Sequence, residues 1–389
     1  MDKRLIWLGI GAFAVSTVGF VFSALLPAIA ADAHITVPHA GYLITVFSLS
    51  YAICTPLLSA LAGTIDRRKV IVAAILVFVA GNLTAALGSS FNTLFAAQII
   101  MGTAAGLFAA TAQAAAVALV GPDHRARAIA VVVGGTSFAV ALGAPVGSLI
   151  STFWGWRGTF LSIAVLALVC ATILWFMLPR NTRGGRLTLR ERLGVIALPG
   201  VLPCLAVTFI YVVGGFIIIS YLAPIAMDGA GMSKTVMPGV LLAFGVGAVI
   251  GNMVSGELAD RLGATRVIVF SMVVSTLICV VIALVLKYAP RESVGALLIG
   301  LMVPWGISGW MFAPAQASRL VTLAPDVAHL TLSLNASALY LGIAIGTLIG
   351  GRVLEFASAS DLGLVAAIFP VLALAVLAAT RREPRRVAA

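Results

Sequence analysis

The stretch from residue 70 to residue 122, VIVAAILVFVAGNLTAALGSSFNTLFAAQIIMGTAAGLFAATAQAAAVALVGP, holds 53 residues without one Asp, Glu, Lys or Arg. A helix needs about 20 apolar residues to cross the hydrocarbon core of a bilayer, so this stretch is long enough for two crossings. The turn-forming run from Gly88 to Asn92 lies where the two would join. The stretch therefore predicts a pair of membrane-spanning helices.

Ten further charge-free windows of 19 to 35 residues occur along the 389-residue chain, which brings the expected number of spans to twelve. The composition agrees, because 61% of the residues are hydrophobic, 10% are charged and the mean hydropathy is +1.15. A soluble domain carries about 25% charged residues. Backbone groups in lipid must be satisfied within the segment, and the ten-residue alternation of a β-barrel is absent. We therefore predict an all-α polytopic membrane protein with twelve transmembrane helices.

The distribution of basic residues predicts the orientation, because loops that stay in the cytoplasm keep Lys and Arg. If the N-terminus is inside, the inner segments hold 19 of the 24 Lys and Arg residues. The outer loops hold the other five: Arg157, Lys234, Lys287, Arg291 and Arg352. Both termini are therefore predicted to be cytoplasmic. The net charge of +11 follows from this topology. The basic stretches have neither interleaved aromatic residues nor a recognisable nucleic-acid-binding motif, so we expect no nucleic-acid partner.

The middle of the chain separates two halves of similar layout. Five arginines fall between Arg180 and Arg192, and the Asp-Arg pairs that begin at Asp66 and Asp260 are 194 residues apart. This spacing predicts an N-terminal six-helix bundle over residues 1–179, a cytoplasmic Arg-rich linker over 180–196 and a C-terminal six-helix bundle over 197–389. In such repeats the substrate site lies near the membrane midplane, between the two bundles.

The N-terminal run argues against a signal peptide, and the cysteines argue against a disulfide framework or a metal site. The first charge-free run is 27 residues long, whereas the apolar region of a signal peptide has about 7–15 residues, so we predict a first membrane helix. Cys54, Cys170, Cys204 and Cys279 lie singly in four predicted spans. Their spacing fits neither a disulfide framework nor a metal site, and we expect neither cofactor nor metal.

The segment GELADRLGATR, residues 256–266, resembles the inner-loop signature of the major facilitator superfamily. A first-half copy, GTIDRRK at residues 63–69, keeps the acid and the bases but lacks the downstream glycine. The resemblance implies the twelve-helix fold of that superfamily and a gating role for the motif, in which the Asp pairs across to the other bundle. The alternative is a plain anchor on the cytoplasmic side. The motif residues are Asp66, Arg67, Gly256, Asp260, Arg261 and Gly263.

The fifth predicted helix, with GAPVG at residues 143–147 and then GWRGTF at 155–160, resembles the drug:proton antiporter branch, especially its arabinose-efflux-permease-like and chloramphenicol-exporter-like members. Gly143 and Gly147 allow close helix approach, and Pro145 bends the span. The eighth helix offers a matching Gly247 and Gly251. The resemblance implies that these two helices meet at the interface between the bundles.

A proton-driven exporter needs a titrating group near its substrate, and all thirteen acids fall at predicted helix ends or in loops. Many relatives place an acid in the first helix where this chain has Gly19 and Phe20, and an Arg where it has Gln98. Coupling therefore rests on Asp32, His34 or His39 near the outer mouth, or is absent. The same pattern argues against a permanently cationic substrate.

The resemblance places helices 1, 2, 4, 5, 7, 8, 10 and 11 around the cavity, and polar or aromatic side chains along them are the substrate-binding candidates. These are Ser16, Phe20, Ser23, Gln98, Gln113, Tyr211, Tyr221, Asn252, Trp305, Gln316, Asn335 and Tyr340. A mid-membrane amide is costly unless it bonds another helix or a substrate. Asn335 points about 200° away from Ser333, which favours a hydrogen bond to another helix over a contact with a ligand. We hypothesise that Gln98, Gln113, Tyr221 and Trp305 line one cavity.

The sequence thus predicts a secondary transporter in a bacterial cytoplasmic membrane that exports a small, largely uncharged amphipathic compound, for example a phenicol-like drug, by proton-coupled alternating access. Efflux of a sugar or nucleoside, or an uncoupled facilitator, is the alternative. A polytopic enzyme would need catalytic polar clusters at a membrane face, and a channel would show charged rings or a filter sequence. Neither is found. We expect a monomer with the bilayer, a small molecule and protons as partners.

Overall fold

The computed structural model describes residues 2–120, 124–180 and 189–381, and within these ranges the chain forms helices joined by short turns, with no strand. Ten membrane-spanning helices are separate elements: α1 Lys3–Asp32, α2 Val37–Leu61, α3 Arg67–Leu87, α4 Phe91–Ala118, α7 Val201–Ile219, α8 Met237–Leu262, α9 Ala264–Tyr288, α10 Arg291–Leu323, α11 Ala328–Phe356 and α12 Leu362–Arg381. The remaining two, α5 and α6, form one helical run composed of Arg125–Phe138, a π turn at Ala139–Gly143 and Ala144–Met177. Together they make the all-α membrane fold that the sequence predicts.

Gly155 divides the run into α5 before it and α6 after it. Its φ of 70° and ψ of 172° are not helical. Beyond it the chain folds back, as is shown by the 2.8 Å hydrogen bond that Thr159 Oγ1 donates to the carbonyl oxygen of Gly147. Twelve residues of continuous helix would separate these two by about 18 Å. Eleven helical stretches of the described chain are long and apolar enough to span a membrane, and the reversal at Gly155 turns the longest of them into two spans.

Replacing Gly155 with alanine will destabilise the fold without any steric overlap. Open space surrounds this position, but its backbone conformation is one that only glycine adopts readily. A side chain there should cost about 1–3 kcal/mol. Thermal unfolding of the purified protein in detergent measures the effect, with Gly134→Ala as the matched control, since Gly134 is helical and also has open space around it. Equal melting temperatures for the two variants would contradict the strained reversal.

The helices form two bundles of six. In the first, α1 packs against α5 and α6, α4 packs against α2 and α3, and α3 packs against α6. In the second, α10 packs against α8 and α9, while α12 packs against α7 and α9 and α7 also contacts α11. The bundles join chiefly through α2 with α11 and through α5 with α8. A cavity between the bundles is therefore bordered by side chains from both halves.

We name the two ends of the molecule the terminal face and the far face. The terminal face carries the start of α1, and there the guanidinium of Arg68 on α3 lies 4.2 Å from the ring centroid of Trp175 on α6. The far face is the opposite end, where Arg157 Nη1 lies 2.7 Å from Asp32 Oδ2 and Arg157 Nη2 donates a 3.0 Å bond to the carbonyl of Gly88. These contacts tie helix ends together within the first bundle.

Gly143 and Gly147 of α5 do not face Gly247 and Gly251 of α8. Gly143 and Gly147 pack against Thr17 and Val21 of α1. The physical reason is that a glycine stripe accommodates whichever neighbour is nearest, and here that neighbour lies within the same bundle.

The matching glycines of α8, Gly247 and Gly251, likewise pack within their own bundle, against the backbone of α10. The two helices nevertheless meet at the bundle interface, as the resemblance implies. There Gly245 contacts Ala141, and Asn252 Nδ2 donates a 2.5 Å bond to Ser137 Oγ.

The second gating motif lies at the end of α8 on the terminal face. Arg261 Nη2 lies 2.6 Å from Glu257 Oε1, one turn earlier on the same helix, and both side chains are exposed. Asp260 is exposed beside them, and Gly256 has open space where a side chain would be. Gly263, with a φ of 88°, makes the turn into α9. In this conformation Arg261 pairs within its own helix, and the latch between bundles stays a prediction.

The first gating motif begins α3. Asp66 caps that helix, because its Oδ1 accepts a 3.1 Å bond from the backbone N–H of Arg68. Arg67 is the first residue of the helix. Part of the predicted linker, residues 181–188, lies outside the described residues. Its remainder includes a short helix, Leu189–Gly194, and the exact division of the chain at 180–196 stays a prediction.

Candidate functional site

A small cavity lies between the two bundles, where α1, α2, α4, α7 and α11 meet. Its volume is about 20 Å³, enough for about one water molecule. The lining residues are Val18, Gly19, Phe20, Phe22, Ile44, Phe47, Ser48, Gln98, Phe216, Tyr340 and Ile343. None of these described side chains is charged. The cavity is thus apolar and aromatic with a few neutral polar groups.

Aromatic side chains from both bundles keep the cavity small. The ring centroid of Phe20 on α1 lies 6.5 Å from that of Phe216 on α7 and 5.8 Å from that of Trp310 on α10. The rings of Tyr51 on α2 and Tyr340 on α11 are stacked, with centroids 3.5 Å apart. These contacts cross from one bundle to the other, so any ligand larger than water requires the bundles to separate.

Gln98 is the distinctive polar group of the cavity. Its side chain is only 1% exposed, and neither its Oε1 nor its Nε2 has a hydrogen-bond partner in the protein. Burying an amide without a partner costs about 1–3 kcal/mol in proteins. The fold therefore maintains a buried donor and acceptor in the cavity wall at a cost that a bound ligand or water can recover.

Tyr221 closes the far face above the cavity. It is 1% exposed, and its hydroxyl donates a 3.0 Å bond to the carbonyl oxygen of Thr347 on α11. Three glycines leave room for the side chain: the hydroxyl lies against Gly41 of α2 and Gly351 of α11, and the ring lies against Gly350. A residue that follows α7 in the second bundle is thereby packed against α2 of the first.

One contact within the second bundle and one between the bundles lie beside this closure. Ser220 Oγ and Thr347 Oγ1 are 2.7 Å apart, and Thr45 Oγ1 of α2 lies 3.5 Å from the carbonyl oxygen of Ala344 on α11. Toward the terminal face the bundles are joined less tightly, because α4 makes no extensive contact with α10 or α11 among the described residues. The structure is closed at the centre and at the far face.

Several candidates from the sequence are bonded away from the cavity. Ser16 Oγ lies 3.1 Å from Thr136 Oγ1 of α5, and Ser23 Oγ donates to the carbonyl of Phe20 on its own helix. Trp305 packs within the second bundle, with its ring centroid 5.2 Å from that of Phe244. The structure does not bring these three side chains into the cavity lining, although Phe20 itself is part of it.

At helical spacing, Tyr211 and Tyr221 are predicted to share one face of the seventh helix, but the structure places them apart. Tyr211 Oη lies 3.1 Å from Ser271 Oγ and 2.8 Å from Ser275 Oγ, inside the second bundle. Tyr221 cannot share its helical face, because α7 ends at Ile219 and Tyr221 has φ and ψ of −116° and 26°. The break in α7 turns Tyr221 toward the far-face contact instead.

A polar layer in the second bundle holds two more candidates. Gln316 Nε2 donates to the carbonyl of Cys204 at 2.6 Å and to Thr208 Oγ1 at 3.0 Å, and Thr208 Oγ1 donates to Asn335 Oδ1 at 2.6 Å. This layer joins α7, α10 and α11, and places Asn335 against another helix, as its direction on α11 suggests. Gln113 is half-buried on α4 and is not among the cavity lining.

The candidates for proton coupling all lie at the far face. Asp32 pairs with Arg157, and both side chains are partly exposed. His34 has a φ of 54° in the turn after α1, and the ring of His39 packs edge-on against Phe91 with a centroid distance of 4.6 Å. None of the three lines the cavity.

Sequence reasoning missed part of the lining. Ser48 and Phe47 of α2 and Phe216 of α7 contribute to it, yet none was selected as a candidate. Ser48 and Tyr51 recur at helical spacing on α2, and that pattern was the available signal for a cavity-facing stripe.

A transporter architecture is defined by these features: two six-helix bundles, a cavity between them and closure at one face. The family model of the Major Facilitator Superfamily matches residues 8–347 and, in a second match, residues 204–389. The chain belongs to the major facilitator superfamily and is a membrane transporter.

Individual proteins resemble it along nearly the whole chain. The uncharacterized MFS-type transporter YbcL of Bacillus subtilis is 31% identical over 367 residues, which cover 94% of this chain and 93% of that protein. The inner membrane transport protein YdhP of Escherichia coli is 29% identical, covering 100% of this chain and 98% of its own. The crystal structure of the human organic anion transporter MFSD10 (TETRAN) shares the fold, with a TM-score of 0.73 at 14% identity over 96% of this chain and 99% of that one.

Proposed function

We propose that this transporter exports a small, largely uncharged amphipathic compound across a bacterial cytoplasmic membrane by alternating access. The observation that carries the proposal is the cavity lining, in which aromatic and aliphatic side chains surround Gln98 and Ser48 without any charge. An apolar lining with a few placed polar groups is typical of small-molecule sites. A charged ligand would have no counter-charge in such a lining, so the name of MFSD10 as an organic anion transporter does not transfer to this cavity.

The orientation in this proposal places the terminal face in the cytoplasm, because loops rich in Lys and Arg stay inside. The name of YdhP, an inner membrane transport protein, supports the same location. The far face then opens outward. A transport cycle requires that the contacts around Tyr221 and Phe20 break to release substrate outward while the terminal face closes.

Efflux of a sugar or nucleoside is the second candidate, and Gln98 is the observation that favours it. An unpaired buried amide suits a ligand with its own donors and acceptors. Proton antiport is the proposed source of energy, with Asp32, His34 and His39 as the candidate groups, and uncoupled transport is the alternative.

Counterflow in liposomes tests the proposal. Vesicles containing the purified protein are loaded with unlabelled chloramphenicol, arabinose or uridine and diluted into the radiolabelled compound. A carrier produces transient accumulation of the label for at least one compound, and an imposed pH gradient changes its level if protons are coupled. Protein-free vesicles and Phe20→Glu, which introduces a buried charge into the lining, are the controls. The proposal fails if label equilibrates without accumulation, as through a channel, for every compound that crosses.

A further inference from the structure

We infer that Gln98 is the specificity-determining residue of the cavity and that it recognises an amide edge, in which an N–H and a C=O lie side by side, as in a lactam, a cyclic imide or a nucleobase. The inference rests on the proposed function, and it names the substrate class. It begins from the buried, unpartnered carboxamide of Gln98 in the cavity wall.

The carboxamide group offers two complementary contacts in one plane. Its Oε1 accepts hydrogen bonds and its Nε2 donates them. A ligand edge with one donor and one acceptor at the same spacing satisfies both atoms at once, as Asn and Gln do with the edge of adenine. Such an edge is neutral, in agreement with a lining that has no charged side chain.

The remainder of the lining suits a ligand in which that edge belongs to a planar, apolar ring system. Phe20, Phe47, Phe216 and Tyr340 contribute rings from four helices, α1 and α2 of the first bundle and α7 and α11 of the second. Aromatic rings pack well against a planar ring in offset or edge-to-face geometry. The cavity must expand for such a ligand to enter, and the ring contacts between Phe20 and Phe216 and between Tyr51 and Tyr340 are those that separate.

Other buried amides of the chain show that Gln98 is different. Asn82 on α3 is also fully buried, but its Nδ2 donates a 2.8 Å bond to the carbonyl of Phe78 on its own helix. Gln316 uses its Nε2 twice, toward Cys204 and Thr208. In Gln98 both atoms remain available, and they border the space between the bundles.

The test compares two ligand pairs that differ only in a methyl group on the amide nitrogen. The pairs are uridine with N3-methyluridine, and phenylglutarimide with its N-methyl derivative. Affinities are measured by ligand-induced thermal stabilisation of the purified protein in detergent. The variants are Gln98→Leu and, as a matched buried amide outside the cavity, Asn82→Leu.

The proposal predicts that wild type and Asn82→Leu bind the N–H member of at least one pair about 10-fold or more tightly than the N-methyl member, because a site with buried polar groups rejects a ligand that leaves them unpaired. Gln98→Leu binds both members equally. It also raises the melting temperature of the empty protein, since it removes two unpaired buried polar atoms. A residue that only bridged helices would lower it.

Three results overturn the inference. These are equal affinity of wild type for both members of each pair, retained discrimination in Gln98→Leu, and absence of binding by all four compounds at millimolar concentration, which would leave Gln98 with a water ligand only. Counterflow distinguishes failure of this inference from failure of the proposed function. If another neutral compound shows counterflow while the four do not bind, the transporter proposal stands and the amide-edge assignment fails.

Discussion

Replacing Gly41 with alanine is expected to open the far face of the protein. The new methyl group would overlap the hydroxyl of Tyr221, which is buried against α2 and bonded to Thr347. Overpacking of this kind costs about 1–3 kcal/mol, and the cost applies only to the conformation in which the far face is closed. The population of molecules open at the far face should therefore rise about 5- to 140-fold, since each 1.4 kcal/mol is a factor of 10.

Cysteine labelling measures this change. Thr45 is buried beside Ala344 at the far-face contact between α2 and α11. A cysteine introduced there, in a background in which the four native cysteines are replaced by serine, should react slowly with a membrane-impermeant maleimide applied to the far face. Gly41→Ala should accelerate the reaction at least about 5-fold, whereas Gly239→Ala, at a helical glycine with open space around it, should not. Unchanged labelling in Gly41→Ala would show that Tyr221 does not hold the far face closed.

The second large effect is on folding, and it concerns the contact between α8 and α10. A methyl group at Gly247 would overlap the backbone carbonyl oxygen of Val303, and Gly306 of α10 faces the backbone of α8 in the same way. Backbone cannot move aside as a side-chain end can. We expect Gly247→Ala to destabilise the second bundle by about 3 kcal/mol or more, and to lower the yield of folded protein.

Gly300→Ala is the matched control, because Gly300 lies on α10 with nothing near its would-be methyl group. The comparison uses melting temperature in detergent and recovery after size-exclusion chromatography. If Gly247→Ala and Gly300→Ala have the same melting temperature, then α8 and α10 are not packed as closely as the structure shows.

The helices could be predicted from the sequence because membrane insertion imposes a simple rule on composition. Charge-free windows of about 19 residues or more mark spans, and Arg157, which separates two of the windows, lies only two residues beyond the turn at Gly155. What the windows do not encode is which neighbour each helix face meets. The glycines at Gly143 and Gly247 show this, since a small residue permits close approach by any helix and carries no information about the partner.

The cavity was predictable only in part, for a related reason. Gln98 was a candidate because an amide at mid-membrane depth must find a partner, and the structure places it in the lining. Tyr221 was placed by assuming a regular helix through residue 221, but α7 ends at Ile219. Helical periodicity assigns faces only within an unbroken helix, so the local break redirected the side chain to the far face.

The most direct test of alternating access through this cavity is to lock the far face reversibly. Cysteines at Thr45 and Ala344, in the background without native cysteines, can be joined by oxidation in liposomes that show counterflow. We expect oxidation to abolish counterflow while the protein still binds its substrate in detergent, and reduction to restore transport. Counterflow that continues at the same rate through the crosslinked protein would show that transport does not require the far face to open.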